Sequence, residues 1–185
     1  ALLSAGILEI PVHRKPRVLI IPTGSELVDW QRIDLKDLAP GRVLDTNSYV
    51  LGKLVESCGG TYHKHEKLFD DLQTIKTVVE QSVAEDFDIV LIIGGSSAGS
   101  EDYAHQVVAE LGNVLVHGVT IMPGKPVIIG EVLGKPVFGI PGYPVSAIIA
   151  FEQFVRPLIY GRLGRPDAAP QTAVVEQTPN IASKL

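Results

Sequence analysis

One stretch limits the possible folds more than any other: Asp88 to Tyr103. Ile89–Ile93 is an unbroken, largely β-branched apolar run, the pattern of a short strand buried on both faces of a parallel sheet. It leads directly into Gly94-Gly95-Ser96-Ser97-Ala98-Gly99-Ser100. Glycines let the backbone turn tightly, and the serines add hydroxyl donors at the same place. Glu101 and Asp102 then open a helical stretch, Asp102–Leu111. Strand, Gly/Ser loop and helix N-terminus in that order form an anion cradle at the carboxyl edge of a sheet. The loop lacks the Gly-Lys-Ser/Thr of a P-loop, and its glycines do not have dinucleotide-fingerprint spacing. The competing reading is a plain strand-to-helix connection, and the context of the loop decides between the two.

That context is an alternation of strands and helices. Ala1–Ile10 reads as the tail of a helix and a connector, and Pro11–Pro16 as a basic linker. Arg17–Ile21 predicts a buried strand. Asp29–Leu38 is a polar excursion closed by Pro40-Gly41. Apolar residues at three- and four-residue steps predict a helix over Asn47–Cys58, stopped by Gly59-Gly60. Thr61–Lys67 reads as a strand, and Asp70-Asp71 caps a helix carrying Leu72, Ile75, Val78, Val79 and Val83. Val114–Met122 is extended. Val127–Gly130 and Lys135–Gly139 predict a hairpin around a four-residue turn, Glu131–Gly134. Val145–Tyr160 is apolar nearly all round, so a well-buried helix is expected, with a Glu152–Arg156 pair and a kink or end at Pro157. Arg165–Pro170 is a second linker. The fold class is therefore α/β: a three-layer α/β/α sandwich with a mostly parallel sheet plus a β-hairpin. The expected organisation is a connector (1–16), one α/β domain (17–164), and a linker leading into a further domain (165–185).

A net charge of −5 leaves no basic footprint for nucleic acid or an anionic membrane. No apolar run approaches the ~20 residues of a membrane span. A lone cysteine, Cys58, excludes an internal disulfide framework and reads as a buried structural thiol. A reducing cytoplasm fits this usage.

Four loops rich in small residues and proline follow strands: Thr23–Glu26, Gly94–Asp102, Pro123–Pro126 and Pro141–Pro144. In open α/β sheets ligands sit outside the carboxyl ends of the strands, so all four are expected to meet along one rim. These loops, with Asp45-Thr46-Asn47 and His117-Gly118-Val119, occur in the order and spacing of the molybdopterin-binding domain of MoeA, the molybdopterin molybdenumtransferase. The chain resembles that domain from about Arg17 to Gly164, and the related domain of gephyrin is similar.

The resemblance implies binding of adenylylated molybdopterin, Mg²⁺-dependent insertion of molybdate and release of AMP. It also implies a homodimer whose site lies between subunits. Asp102 and Glu26 are the expected Mg²⁺ ligands and, with Lys125, the catalytic groups, because Mg²⁺ takes one or two carboxylates beside phosphates and water. Substrate binding is assigned to Thr23, Gly24, Ser25, Asp45, Gly94, Gly95, Ser96, Ser97, Gly99, Ser100, Pro123, Gly124, Pro126, Pro141, Gly142 and Ser146. Asp45 has a competing role as a helix cap, Thr23 and Ser25 as turn-formers. His117 reads as a structural histidine outside the site. Met122 stands where many relatives carry lysine, which places more weight on Lys125 and leaves molybdate against tungstate open. Tyr143 stands where many carry asparagine, and can stack on a pterin or pack outward. The alternatives are a non-catalytic pterin-binding module and a CinA-type nucleotide hydrolase.

Overall fold

The strands carry apolar side chains on both faces, so the sheet must be covered twice, and helices cover it. The computed structural model describes residues 2–94 and 102–165, the side chain of Leu35 excepted. The order is β1 (Arg17–Pro22), β2 (Leu27–Val28), β3 (Val43–Leu44), α1 (Asn47–Ser57), β4 (Thr61–Lys64), α2 (Leu72–Ala84), β5 (Ile89–Ile93), α3 (Tyr103–Leu111), β6 (Asn113–His117), β7 (Ile128–Val132), β8 (Lys135–Ile140), α4 (Pro144–Ala150) and α5 (Arg156–Arg162). Six strands form one sheet in the order β4-β1-β5-β8-β7-β6, and β2 and β3 pair separately. β4, β1, β5 and β8 are parallel, and β7 runs against both β8 and β6. Five strands therefore end at the same edge, where β7 begins.

Alternation decides the layers. Val18, Ile20, Leu91, Ile93 and Ile140 pack under α1 and α4–α5, against Leu51, Val55, Phe151 and Ile159. Leu19, Ile21, Val90, Ile92 and Val137 face α2 and α3, against Ile75, Val79, Val107 and Val108. This is the expected three-layer α/β/α sandwich. Each fully buried Leu, Ile or Phe contributes roughly 1.5–3 kcal/mol. Cys58 lies in the first cluster at 2% exposure, and burial pushes its thiol pKa up, as an inert structural thiol requires.

Several boundaries differ from the sequence reading, for local reasons. β6 stops at His117 because Gly118 takes φ +80° and its N–H turns to Val127 O. β4 ends at Lys64, but the chain stays beside β1: His65 N donates to Ile20 O and Leu68 pairs with Thr23 in an isolated bridge. The hairpin turn is two residues, Leu133-Gly134, both at positive φ, because pairing continues to Val132–Lys135. The expected N-terminal helix is a single tight turn, Leu3–Ala5. The long last helix is not continuous. Proline at 157 lacks an N–H and crowds the carbonyl four residues earlier, and the preceding Phe151–Val155 widens into a π-helical turn. Nor is this helix buried all round, since Val145 is 61% exposed. Glu152 and Arg156 pair as expected.

Candidate functional site

The carboxyl ends of β1, β5 and β8 are level, since Pro22 is in register with Ile93 and Ile93 with Ile140. The three chains leaving them are stitched together. Thr23 N donates to Ile93 O at 2.8 Å, the Thr23 hydroxyl to the same oxygen at 3.1 Å, and Gly94 N to Ile140 O at 3.0 Å. Gly94 is there because nothing larger fits. Its φ is +94°, and a Cβ would lie 2.7 Å from Thr23 O. Asn47, opening α1, donates its side-chain amide to Gly142 O at 2.6 Å and joins the fourth edge of the ring. The result is a small pocket of about 130 Å³, lined by Thr23, Glu26, Asp45, Asn47, Gly94 and Gly142 among others. The Glu26 side chain folds back over the Gly24 backbone, with both oxygens within 2.8 Å of where a Gly24 Cβ would be.

Asp45 is 4% exposed. One oxygen accepts from Ser48 N at 3.1 Å, the bond that caps α1, and the other lies 3.1 Å from Lys64 Nζ. Lys64 also holds Asp29 at 2.8 Å, and Tyr49 OH donates to Asp29 at 3.1 Å. Desolvation alone would raise the Asp29 pKa, but the bonds from Lys64 and Gln31 N win and hold it below the usual carboxylate range. Desolvation likewise opposes the Lys64 charge, and its bonds to Asp29 and Asp45 hold its pKa above the usual lysine value.

Asp102 lies further along the same rim. It is the N-cap of α3: one oxygen accepts from His105 N at 3.1 Å, and the other is 3.4 Å from His117 Nε2. The His117 and His105 rings stack at 4.2 Å between centroids. The Lys125 loop closes the β6–β7 connection, where Val119 N donates to Lys125 O at 2.9 Å. Gly124 packs against the first turn of α4, where its Cβ would be 3.8 Å from Ser146 O. Lys125 is exposed, and Ser146 is buried at 8%.

Residues 19–161 match a family described as "Probable molybdopterin binding domain". The chain belongs to this family. It is 34% identical over 174 residues to Molybdopterin molybdenumtransferase 2 of Mycobacterium tuberculosis, an alignment covering 89% of this chain and 41% of that protein. The crystal structure of a molybdopterin biosynthesis MoeA protein from Pyrococcus horikoshii superposes with a TM-score of 0.72 at 35% identity, covering 90% of this chain and 38% of that one. A CinA protein from Thermoplasma acidophilum, at 18% identity and TM-score 0.58, shares the fold alone. The chain thus spans about two fifths of the MoeA-type relatives it matches.

Within this family member, the four sequence-predicted connectors do leave one edge of the sheet. Three of them, with the start of α1, build the pocket, and the Lys125 loop sits beside α4. Asp102 does not line the pocket. From β5 to β6 is three strand spacings, about 14 Å, so Asp102 is set apart from Glu26 along the rim. The Thr23 hydroxyl is spent on the backbone, and Ser25 contributes its N–H to Asp70 at 3.2 Å. Tyr143 points outward at 76% exposure. Gly95, Ser96, Ser97, Gly99 and Ser100 lie outside the described residues. Sequence reasoning missed Asn47, whose place two residues after Asp45 at a helix start was the available signal. It also set aside His117, whose approach to Asp102 depends on pairing across the sheet.

Among the described residues no three His, Cys, Asp or Glu side chains group as a metal site, so a Mg²⁺ ion here would rest on Glu26 alone. That carboxylate is exposed at the pocket wall, and one or two carboxylates suffice beside phosphate and water. Asp102 keeps lone pairs beyond its capping bond but stands apart from the pocket, and Asp45 is committed to Lys64 and α1.

Proposed function

We propose that this domain binds a phosphate-bearing pterin, adenylylated molybdopterin, along the carboxyl rim of its sheet, and takes part in Mg²⁺-dependent insertion of molybdate with release of AMP. The observation that carries the reading is the set of hydrogen bonds around one pocket that ties Thr23 and Gly94 to the strand ends and the Asn47 amide to Gly142 O. A rigid, glycine-lined rim lets a ligand approach the backbone closely and needs no net positive charge to accept a phosphate. Family membership adds the substrate class. Lys125 supplies an exposed point charge for an anion beside α4, Asn47 orients the Gly142 loop, Glu26 would hold Mg²⁺ at the pocket wall to neutralise phosphate charge, and Asp102 would meet the ligand further along the rim. The flanking segments, 1–16 and 165–185, would connect to further domains of the full-length protein. In a homodimer those domains would complete the site, so the chain alone binds without appreciable turnover.

A second reading has one observation in its favour: Asp102 already caps α3, with its other oxygen 3.4 Å from His117 Nε2. On that reading the domain is a pterin-binding module without its own catalytic carboxylate. Asp102→Asn separates the two, because asparagine caps a helix as well as aspartate does but carries no charge. The full-length Asp102→Asn and Glu26→Gln proteins should bind adenylylated molybdopterin yet release AMP at least about tenfold more slowly. Wild-type AMP release by both variants sinks the catalytic assignment and leaves the module.

A further inference from the structure

A cleft of about 650 Å³ lies beside the rim pocket. One wall is the excursion between β2 and β3, with Val28, Ile33, Leu38 and Ala39 as its apolar surface. The other is the segment leaving β4, from Lys64 to Phe69. Leu27 and Asp45 line both cavities, so the two adjoin. The volume falls in the range of small-molecule sites, about 300–1,000 Å³.

The charges on the lining are unevenly committed. Lys64 holds Asp29 and Asp45, and Arg32 holds Glu66 at 2.8 Å. Asp37 is the remaining carboxylate. Arg42 and Lys67 are differently placed: their hydrogen bonds run to carbonyl oxygens. Arg42 donates to Ser25 O, and Lys67 to Leu27 O at 2.6 Å. Those carbonyls are two residues apart, so no more than about 7 Å separates the α-carbons that carry them. Two cations thus grip one short stretch of chain, each with most of its N–H donors left over. The Lys67 ammonium lies 5.3 Å from the centre of the Phe69 ring, which is 63% exposed.

We propose that this cleft is a ligand site distinct from the rim pocket, built for a small anion that carries a planar ring, of the nucleoside monophosphate class. The anion takes the free donors of Arg42 and Lys67, because a phosphate pairs both charges where the carbonyls they now hold are neutral. The ring lies against Phe69 and the apolar wall of the excursion. The assignment does not depend on what the rim pocket binds.

An NMR titration of the 185-residue chain tests it, with AMP as the probe and inorganic phosphate as the probe of the anionic head alone. AMP should shift the amides of Ile33, Arg42, Lys67 and Phe69 saturably, and phosphate should bind there at least about tenfold more weakly. Arg42→Gln/Lys67→Gln should weaken AMP binding at least about tenfold. Phe69→Ala, an exposed position that leaves the core intact, should weaken AMP but not phosphate. Lys53→Gln, an exposed lysine of α1 outside both cavities, should change neither. Shifts confined to Thr23, Gly94 and Gly142 would overturn the proposal while leaving the rim reading in place. An unchanged affinity in the double variant, phosphate binding as tightly as AMP, or no saturable shift at millimolar AMP would overturn it too.

Discussion

Two residues carry more of the rim than their chemistry suggests. Gly94 combines a left-handed backbone with a close approach to Thr23 O, so Gly94→Ala is strained twice over. It should cost about 2 kcal/mol or more in chemical denaturation. Lys64 holds two carboxylates, one of them 96% buried by its 4% exposure. Removing one partner of a buried pair strands the other charge, so Lys64→Met should lose about 3 kcal/mol at neutral pH. Its pH dependence has a definite sign. The Asp29 pKa is depressed in the folded state, so its contribution is present above its ordinary value, about pH 4, and is lost as pH falls through the lower folded value. The Lys64 pKa is raised, so its contribution is present below about pH 10.4 and lost as pH rises through the folded value. Melting curves from pH 2 to 7 should therefore converge for wild type and variant at the acid end. A constant gap over that range would contradict the pairing. These roles explain why Asp45 was only half legible. Its spacing before α1 announced a cap, but Lys64 comes from another strand, and no local pattern reveals that pairing.

At the level of elements, the strongest periodic segments read correctly from sequence. β5 was found residue for residue, and α2 with its Asp71 cap follows from apolar spacing and the bond from Thr74 N at 2.8 Å. Boundaries set by tertiary pairing did not read correctly. The β7–β8 turn is shorter than its composition implied because pairing runs on to Val132 and Lys135. It places Leu133, not glycine or asparagine, at φ +50°. Asparagine tolerates that conformation far better, so Leu133→Asn should stabilise the domain by about 0.5–1 kcal/mol, as a rise in denaturation midpoint with unchanged slope. A fall would mean that the exposed Leu133 side chain makes a stabilising contact. The π-helical turn ahead of Pro157 shows the same limit. Proline announced a disturbance, but how the chain absorbs it depends on Phe151 and Val155, buried against the sheet.

For the whole molecule, the parallel topology determines where function can reside. β1, β5 and β8 end level, β6 ends at the same edge, and every connector singled out in the sequence leaves from it. The opposite edge is occupied by a different network, in which Asp88 accepts from Arg17 N at 2.7 Å and from Arg14 at 2.8 Å, with Arg162 at 3.4 Å. The domain therefore has a structural end, where Arg14, Arg17 and Arg162 gather on Asp88, and an open end. Sequence order revealed this polarity because strand–helix alternation allows few topologies. The spread of the candidate residues was not legible, since only strand order puts about 14 Å between the ends of β5 and β6. The most direct test is a crystal of this chain soaked with adenylylated molybdopterin and Mg²⁺. The account predicts ligand density along the carboxyl rim, against Gly94, Asn47 and Gly142 and reaching Glu26. Density at the Arg14–Asp88–Arg162 end instead, or an empty rim at saturating ligand, would contradict it.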